Sequence, residues 1–209
     1  MSNPIRVAIA GLSASPLAWA NISHLPVLQH HPRYELAALI TRSSDTAKAT
    51  IAAHSLPSSI KVFSSTAEAA ADSSIDLIVI SVKMPLHHEL ALPALKAGKS
   101  IYVEWPLASS VAEAEVLAKA ARENGTKSFV GLQDGLDPTT QTIKKLLDDG
   151  RIGDVWSSTV TFNVGNMMGN WRQVQEKNSY FVEKDAGGDA LSIPAVHSEY
   201  PTISHRMTR

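Results

Sequence analysis

The chain contains no cysteine. That excludes disulfide staples and thiolate metal sites, and it fits a reducing compartment. Charge of either sign is equally scarce as a net quantity: 19 lysines and arginines face 20 aspartates and glutamates, and the basic residues form no cluster. Direct binding of nucleic acid or of an anionic membrane surface therefore has no electrostatic support. Long apolar runs are missing too. Met1-Ser2-Asn3-Pro4-Ile5-Arg6 lacks the charged lead and apolar core of a signal peptide, and no stretch is long enough to cross a bilayer, so the expected location is cytoplasmic. Asn21-Ile22-Ser23 and Asn124-Gly125-Thr126 match the glycosylation sequon, which has no meaning in that compartment. The adjacent His30 and His31 read as solvated rather than as metal ligands, and no metal is expected.

What is present is 209 residues with a hydrophobic fraction of 44%, enough for one α/β domain and part of another. Ile5 to Ala10 is a short, nearly continuous apolar run of the kind expected for a parallel strand covered on both faces. Gly11 ends it. Ser13 and Ser15 then offer hydroxyl caps and Pro16 suits a first helical turn, so the spacing predicts a helix from about Pro16 carrying Trp19, Ile22, Leu25 and Leu28. A helix start at a strand's carboxyl end is an anion site. The dinucleotide fingerprint has three glycines, for the turn, for backbone approach to the pyrophosphate and for helix packing. Only Gly11 is retained here, followed by Leu12, with Ser13 and Pro16 at the other two positions. An ordinary strand-to-helix turn is the alternative.

Further strands are expected over Tyr34 to Ile40, Lys61 to Phe63, Ile75 to Val82, Ser100 to Glu104 and Lys127 to Leu132, with the fourth strand central because it is rich in β-branched apolar residues. Helices alternate with them. Ser43 or Ser44 caps the one running to His54, and Ser109 or Ser110 caps Val111 to Glu123. This alternation predicts an α/β fold, a doubly wound parallel sheet with right-handed crossovers over 1–133. Over 134–209 a helix from Pro138 to Asp149 and an alternating strand from Val155 to Val164 predict the start of an α+β domain with a mainly antiparallel sheet. After the second strand, Arg42 and Ser43 offer a cation and a hydroxyl to a 2′-phosphate, where an acidic residue would instead take the ribose hydroxyls of NAD. NADP is expected first and NAD second.

In order along the chain, the Gly11 turn, the strand ending in Ser81-Val82-Lys83-Met84-Pro85 with His88 three residues on, Ala97-Gly98-Lys99-Ser100 leading into Tyr102-Val103-Glu104, and Gly150-Arg151-Ile152-Gly153-Asp154 resemble the Gfo/Idh/MocA oxidoreductase family. Ser81 to Pro85 together with Tyr102 to Trp105 are most similar to its fungal branch of galactose-regulon repressors and their enzyme-like relatives. The resemblance implies NAD(P)-dependent oxidation or reduction of a sugar, polyol or related compound. The alternative is an inactive NADP-binding regulator with a protein partner, in which case a nuclear location is open.

It also implies the site residues. Gly11, Leu12, Ser13, Ser15, Arg42, Ser81, Val82, Lys83, Pro85, His88, Glu104 and Trp105 are the cofactor-binding candidates, and His197 and Glu104 the catalytic ones, with Lys83 to stand in from a neighbouring strand end for the family's lysine. Glu104 either holds the nicotinamide end or caps the next turn, and Trp105 packs on the nicotinamide or fills a domain interface. The family's Glu-Lys-Pro motif is Glu104-Trp105-Pro106 here, so the ammonium is replaced by an indole that offers one neutral N–H. In the second-domain motif Gly188 begins the segment, Ile193 replaces the aspartate, Ala195 replaces a glycine, and His197 remains. An imidazole there suits proton transfer, or else is structural. Family members continue into most of an open antiparallel sheet, so the expectation is a shortened second domain with exposed edges and a homo-oligomer or other covering partner.

Overall fold

The computed structural model describes residues 3–161 apart from Leu17, Ser158 and Val160. Two compact units divide the chain, Met1–Gly131 and Leu132–Arg209.

In the first unit six strands, β1 (Ile5–Ala10), β2 (Tyr34–Ile40), β3 (Lys61–Phe63), β4 (Leu77–Ile80), β5 (Ser100–Glu104) and β6 (Ser128–Gly131), form one sheet in the order β3-β2-β1-β4-β5-β6. Every neighbouring pair is parallel. The strand predicted over Ile75 to Val82 is shorter than expected but central, between β1 and β5. The chain winds outward from β1 through β2 to β3, then returns to lay β4 on β1's other side. The carboxyl ends of β1 and β4 therefore flank the point where the winding reverses, the crevice in which such sheets bind ligands.

Strand alternation explains why both faces are apolar. Ala8 and Ala10 with Ile78, Ile80, Ile101 and Val103 meet the helices α4 (Thr66–Ala71), α5 (His87–Lys96) and α6 (Val111–Glu123) through Ala69, Ala91, Leu95 and Leu117. Val7, Ile9, Leu39 and Val79 point the other way, toward α1 (Trp19–Ser23) and α2 (Leu25–His30) through Ala20, Leu25 and Leu28. Burying each large aliphatic side chain of these strands is worth roughly 1.5–3 kcal/mol. Alanines on the first face let the helices approach closely.

Caps set the helix starts. Ser43 accepts a hydrogen bond from Thr46 N–H at the head of α3 (Ser44–Ala53), and Ser110 accepts from Glu113 N–H at α6. Across the amino ends of β1 and β4, Arg6 makes a two-pronged contact with Asp76 at 2.9 and 2.8 Å. The guanidinium holds the Asp76 carboxyl down at about 2. Both side chains are well exposed, so the pair adds little stability.

The first helix departs from expectation. It begins at Trp19 rather than near Pro16, its cap residue is Ala18 with no side-chain bond, and neither Ser13 nor Ser15 caps it. The chain also breaks at His24 into two short helices. Pro26 follows in the first turn of α2. A proline has no N–H to give to the carbonyl of Ile22, so one continuous helix would lose a bond there. Leu25 and Leu28 are buried, whereas Trp19 and Ile22, at the same helical spacing, are exposed.

In the second unit a short 3₁₀ turn, Gln133–Leu136, precedes α7 (Pro138–Asp148), which Asp137 caps through Thr139 and Thr140 N–H. Of the strand predicted over Val155 to Val164, the described residues Val155, Trp156, Ser157, Thr159 and Thr161 belong to no strand, and the remainder lies outside the described residues. Gly188, Ile193, Ala195 and His197 also lie outside them.

Candidate dinucleotide site

The close approach of two strands builds the site. Gly11 has φ +112°, and a β-carbon placed on it would stand 1.9 Å from the carbonyl oxygen of Ser81. Only glycine lets the β1 turn lie against the end of β4 in this way. Ser81 N–H donates to Ala10 at 2.9 Å, while its buried hydroxyl has no partner. A cradle that admits no side chain, beside an orphaned buried hydroxyl, fits a ligand that brings its own polar atoms to the crevice. Leu12 is buried beneath this turn, Ser13 is half-buried and Ser15 is exposed.

Beyond Gly11 the loop is braced by side chains. Asn21 Nδ2–H groups donate to the carbonyls of Ser13 at 2.8 Å and Ser15 at 2.6 Å, and Asn21 Oδ1 accepts Ser13 N–H at a long 3.4 Å. His54, which ends α3, donates from Nε2 to the same Ser13 carbonyl at 2.8 Å. Ser15 N–H reaches Ser13 Oγ at 3.3 Å. At the end of β2, Arg42 is exposed, and among the described residues no acidic side chain pairs with it. Ser43 Oγ, used as the α3 cap, keeps its own O–H to donate.

At the end of β5 lies a second cluster. Glu104 is only 7% exposed, and its Oε1 accepts from Trp19 Nε1–H at 3.1 Å and from His24 Nε2–H at 2.5 Å. The His24 ring meets Tyr102 edge-on at 5.2 Å. Burial, with Glu104 nearby, pushes the Tyr102 hydroxyl up to about 12. Gly131 on β6 leaves room for both, since a β-carbon there would come within 2.5 Å of the tyrosine oxygen and 2.6 Å of Glu104 Oε2. Glu104 is thus tied back to the β1 side of the crevice through α1 and α2. Trp105 next to it is half-buried and joined to Pro106 by a cis peptide.

Of the two histidines after β4, the sequence singles out His88, which is half-buried; its neighbour His87 is buried. His87 is 1% exposed, with Nδ1 2.8 Å from the Pro106 carbonyl and Nε2 3.0 Å from that of Val82. It thereby links the segments leaving β4 and β5. Lys83 and Pro85 stand exposed at the 3₁₀ turn Met84–Leu86 between them. Only an imidazolium donates to two carbonyls, yet burial outweighs those bonds and the facing Glu104 charge, and lowers the His87 pKa. The unfolded chain protonates this residue as pH falls through about 6.5, before the folded one does, so acidification destabilises the fold. Stability should fall between pH 7.5 and 5.5 in thermal unfolding, with a shallower fall in His87→Gln. An equal or steeper fall in the variant would remove the assignment to His87.

Sequence reading alone assigned no part in the site to Trp19, Asn21, His24, His54, Tyr102, His87 or Gly131. Apart from the proline after His24-Leu25, nothing local marks them, because their partners are 5 to 85 residues away.

The family model described as "Oxidoreductase family, NAD-binding Rossmann fold" (GFO_IDH_MocA) matches residues 5–132. Dehydrogenase aclE of Aspergillus oryzae is 41% identical over 163 residues, covering 77% of this chain and 44% of that protein. The galactose/lactose metabolism regulatory protein GAL80 of Saccharomyces cerevisiae is 33% identical over 213 residues, covering 97% of this chain and 48% of its own length. A crystal structure of a super-repressor mutant of the same yeast Gal80p superposes with a TM-score of 0.77 at 28% identity, over 97% of this chain and 52% of that one. The chain spans about half the length of the curated relatives it matches. With the glycine cradle at the reversal point of a parallel sheet and a family match over the same residues, the chain belongs to the Gfo/Idh/MocA family of oxidoreductases with an NAD-binding Rossmann fold.

Proposed function

We propose that this chain is the NADP-binding portion of an NAD(P)-dependent oxidoreductase acting on a sugar, a polyol or a related carbonyl or alcohol. The observation that carries this reading is the Gly11–Ser81 approach, a backbone cradle with an unpaired buried hydroxyl where the winding of the sheet reverses. When bound, the nicotinamide supplies hydride transfer. The chain's own part is to hold the dinucleotide along Gly11 to Ser15, to meet the 2′-phosphate with Arg42 and Ser43, and to line the nicotinamide end with Ser81, Val82, Pro85, His88, Glu104 and Trp105. The base on the substrate hydroxyl is assigned to His197, within 134–209, and the part of the missing ammonium to Lys83 of the first unit.

One arrangement favours a second reading, a cofactor-sensing regulator that binds other proteins. Glu104 is occupied by Trp19 and His24, and its neighbour is an indole rather than a cation. The homologous GAL80 is named a regulatory protein.

Titration with NADPH and NADH, followed by nicotinamide fluorescence, tests the cofactor claim. Arg42→Ala should weaken NADPH about 10- to 100-fold, the worth of a charge-assisted hydrogen bond, and leave NADH nearly unchanged. Equal affinities for both nucleotides in the wild type would remove the NADP preference. Turnover with a polyol and aldose panel separates the two readings: nucleotide binding with turnover supports the enzyme, and tight binding without it supports the regulator.

A further inference from the structure

We infer that Asn21 and His54 are positioning residues that take over the part of the missing second fingerprint glycine, where Ser13 stands, by turning the Ala14 amide toward the pyrophosphate. This rests on the dinucleotide reading above. A glycine-rich loop presents N–H groups by virtue of its backbone freedom. Here Ser13 and Pro16 occupy the second and third glycine positions, Pro16 has no N–H, and α1 is a five-residue helix that starts only at Trp19. Helix-end electrostatics therefore contribute little, and another device must aim the loop.

The geometry supplies it. Asn21 and His54 approach the Ser13 carbonyl from two different elements, each at 2.8 Å. In a planar trans peptide the carbonyl and the following N–H point in opposite directions. Pinning the Ser13 oxygen to Asn21 and His54 thus directs the Ala14 N–H away from them, and Ala14 is exposed. The Ser15 carbonyl is drawn back by Asn21 as well. Two oxygens that would repel an anion are held aside, and one amide is turned outward. The unpartnered Ser81 hydroxyl, buried beside the Gly11 end of this loop, is an independent polar group available to the same ligand.

The test is calorimetric titration of the full chain with two probes, NADPH and adenosine 2′-monophosphate. The second carries the 2′-phosphate but no pyrophosphate. His54→Ala and Asn21→Ala should each weaken NADPH about tenfold, the worth of one hydrogen bond to a charged ligand's site, while adenosine 2′-monophosphate affinity moves less than twofold. His54→Gln, whose amide can donate to the same carbonyl, should recover most of the loss. Arg42→Ala should weaken both probes. Parallel losses of both probes in the Asn21 or His54 variants would assign these residues a merely structural role and overturn the inference, as would unchanged NADPH binding. If the wild type binds neither probe, the dinucleotide reading falls and the inference with it, whereas wild-type binding that is insensitive to Asn21 and His54 removes the inference alone.

Discussion

Gly11→Ala is expected to lower the stability of the first unit by roughly 3–5 kcal/mol and to abolish nucleotide binding. The added carbon would lie 1.9 Å from the Ser81 oxygen and 2.6 Å from its carbonyl carbon, both backbone atoms of an adjoining segment that no side-chain rotation can move. Relief requires parting the ends of β1 and β4, which breaks the bond from Ser81 N–H to Ala10. The positive φ adds strain for any residue with a β-carbon. For a chain of this size each kcal/mol shifts the unfolding midpoint by about 2–4 °C, so a drop on the order of 10 °C is the readout. Gly98→Ala is the matched control. Gly98 also has positive φ, at +77°, but a β-carbon there meets nothing within 4 Å, so only the conformational cost, about 1 kcal/mol, should appear. Equal shifts in the two variants would show that close approach at Gly11 is not what the fold depends on.

Glu104→Ala is the second large effect. The carboxylate is buried, and one of its oxygens accepts both the Trp19 indole and the His24 ring. Truncation leaves two donors without an acceptor and opens a void against Tyr102 and Gly131. The expected loss is roughly 2–4 kcal/mol in denaturant unfolding, because the partners of a removed buried charge keep their desolvation cost. Glu104→Gln preserves shape and one acceptor oxygen, and should cost about half as much. A Glu104→Ala loss below about 0.5 kcal/mol would mean that water readily replaces the carboxylate, the behaviour of a surface pair. Because α1 and α2 are short, this anchor also bears on the nucleotide site: with Glu104 gone, the segment from Trp19 to His24 loses its tie to β5.

The two variants separate two kinds of information in the chain. Gly11 is legible in the sequence, as the residue that ends an apolar strand run, and so are Ser81, at the carboxyl end of the predicted fourth strand, and Glu104, which ends the fifth. Their neighbours are not. Asn21 looks like part of an empty sequon and His54 like the end of an alanine-rich helix, yet the two meet on one carbonyl. His88 stood out beside Pro85, but burial chose His87, because that ring faces the carbonyls of both Val82 and Pro106.

The order of strands and helices and the apolar strands covered on both faces were settled by local pattern, which also narrowed two helix caps to a pair of serines each, of which the structure uses Ser43 and Ser110. Side-chain period, β-branching and capping chemistry act within a few residues, so a linear reading reaches them. The tie from Glu104 to α1 and α2 and the brace on Ser13 were decided only by tertiary packing. Each depends on groups far apart in sequence whose pairing is worth making only after the sheet has excluded water around them. The loop that lacks its glycines is therefore readable as a departure from the fingerprint, while the side chains that brace it, Asn21 and His54, emerge only when the chain has folded.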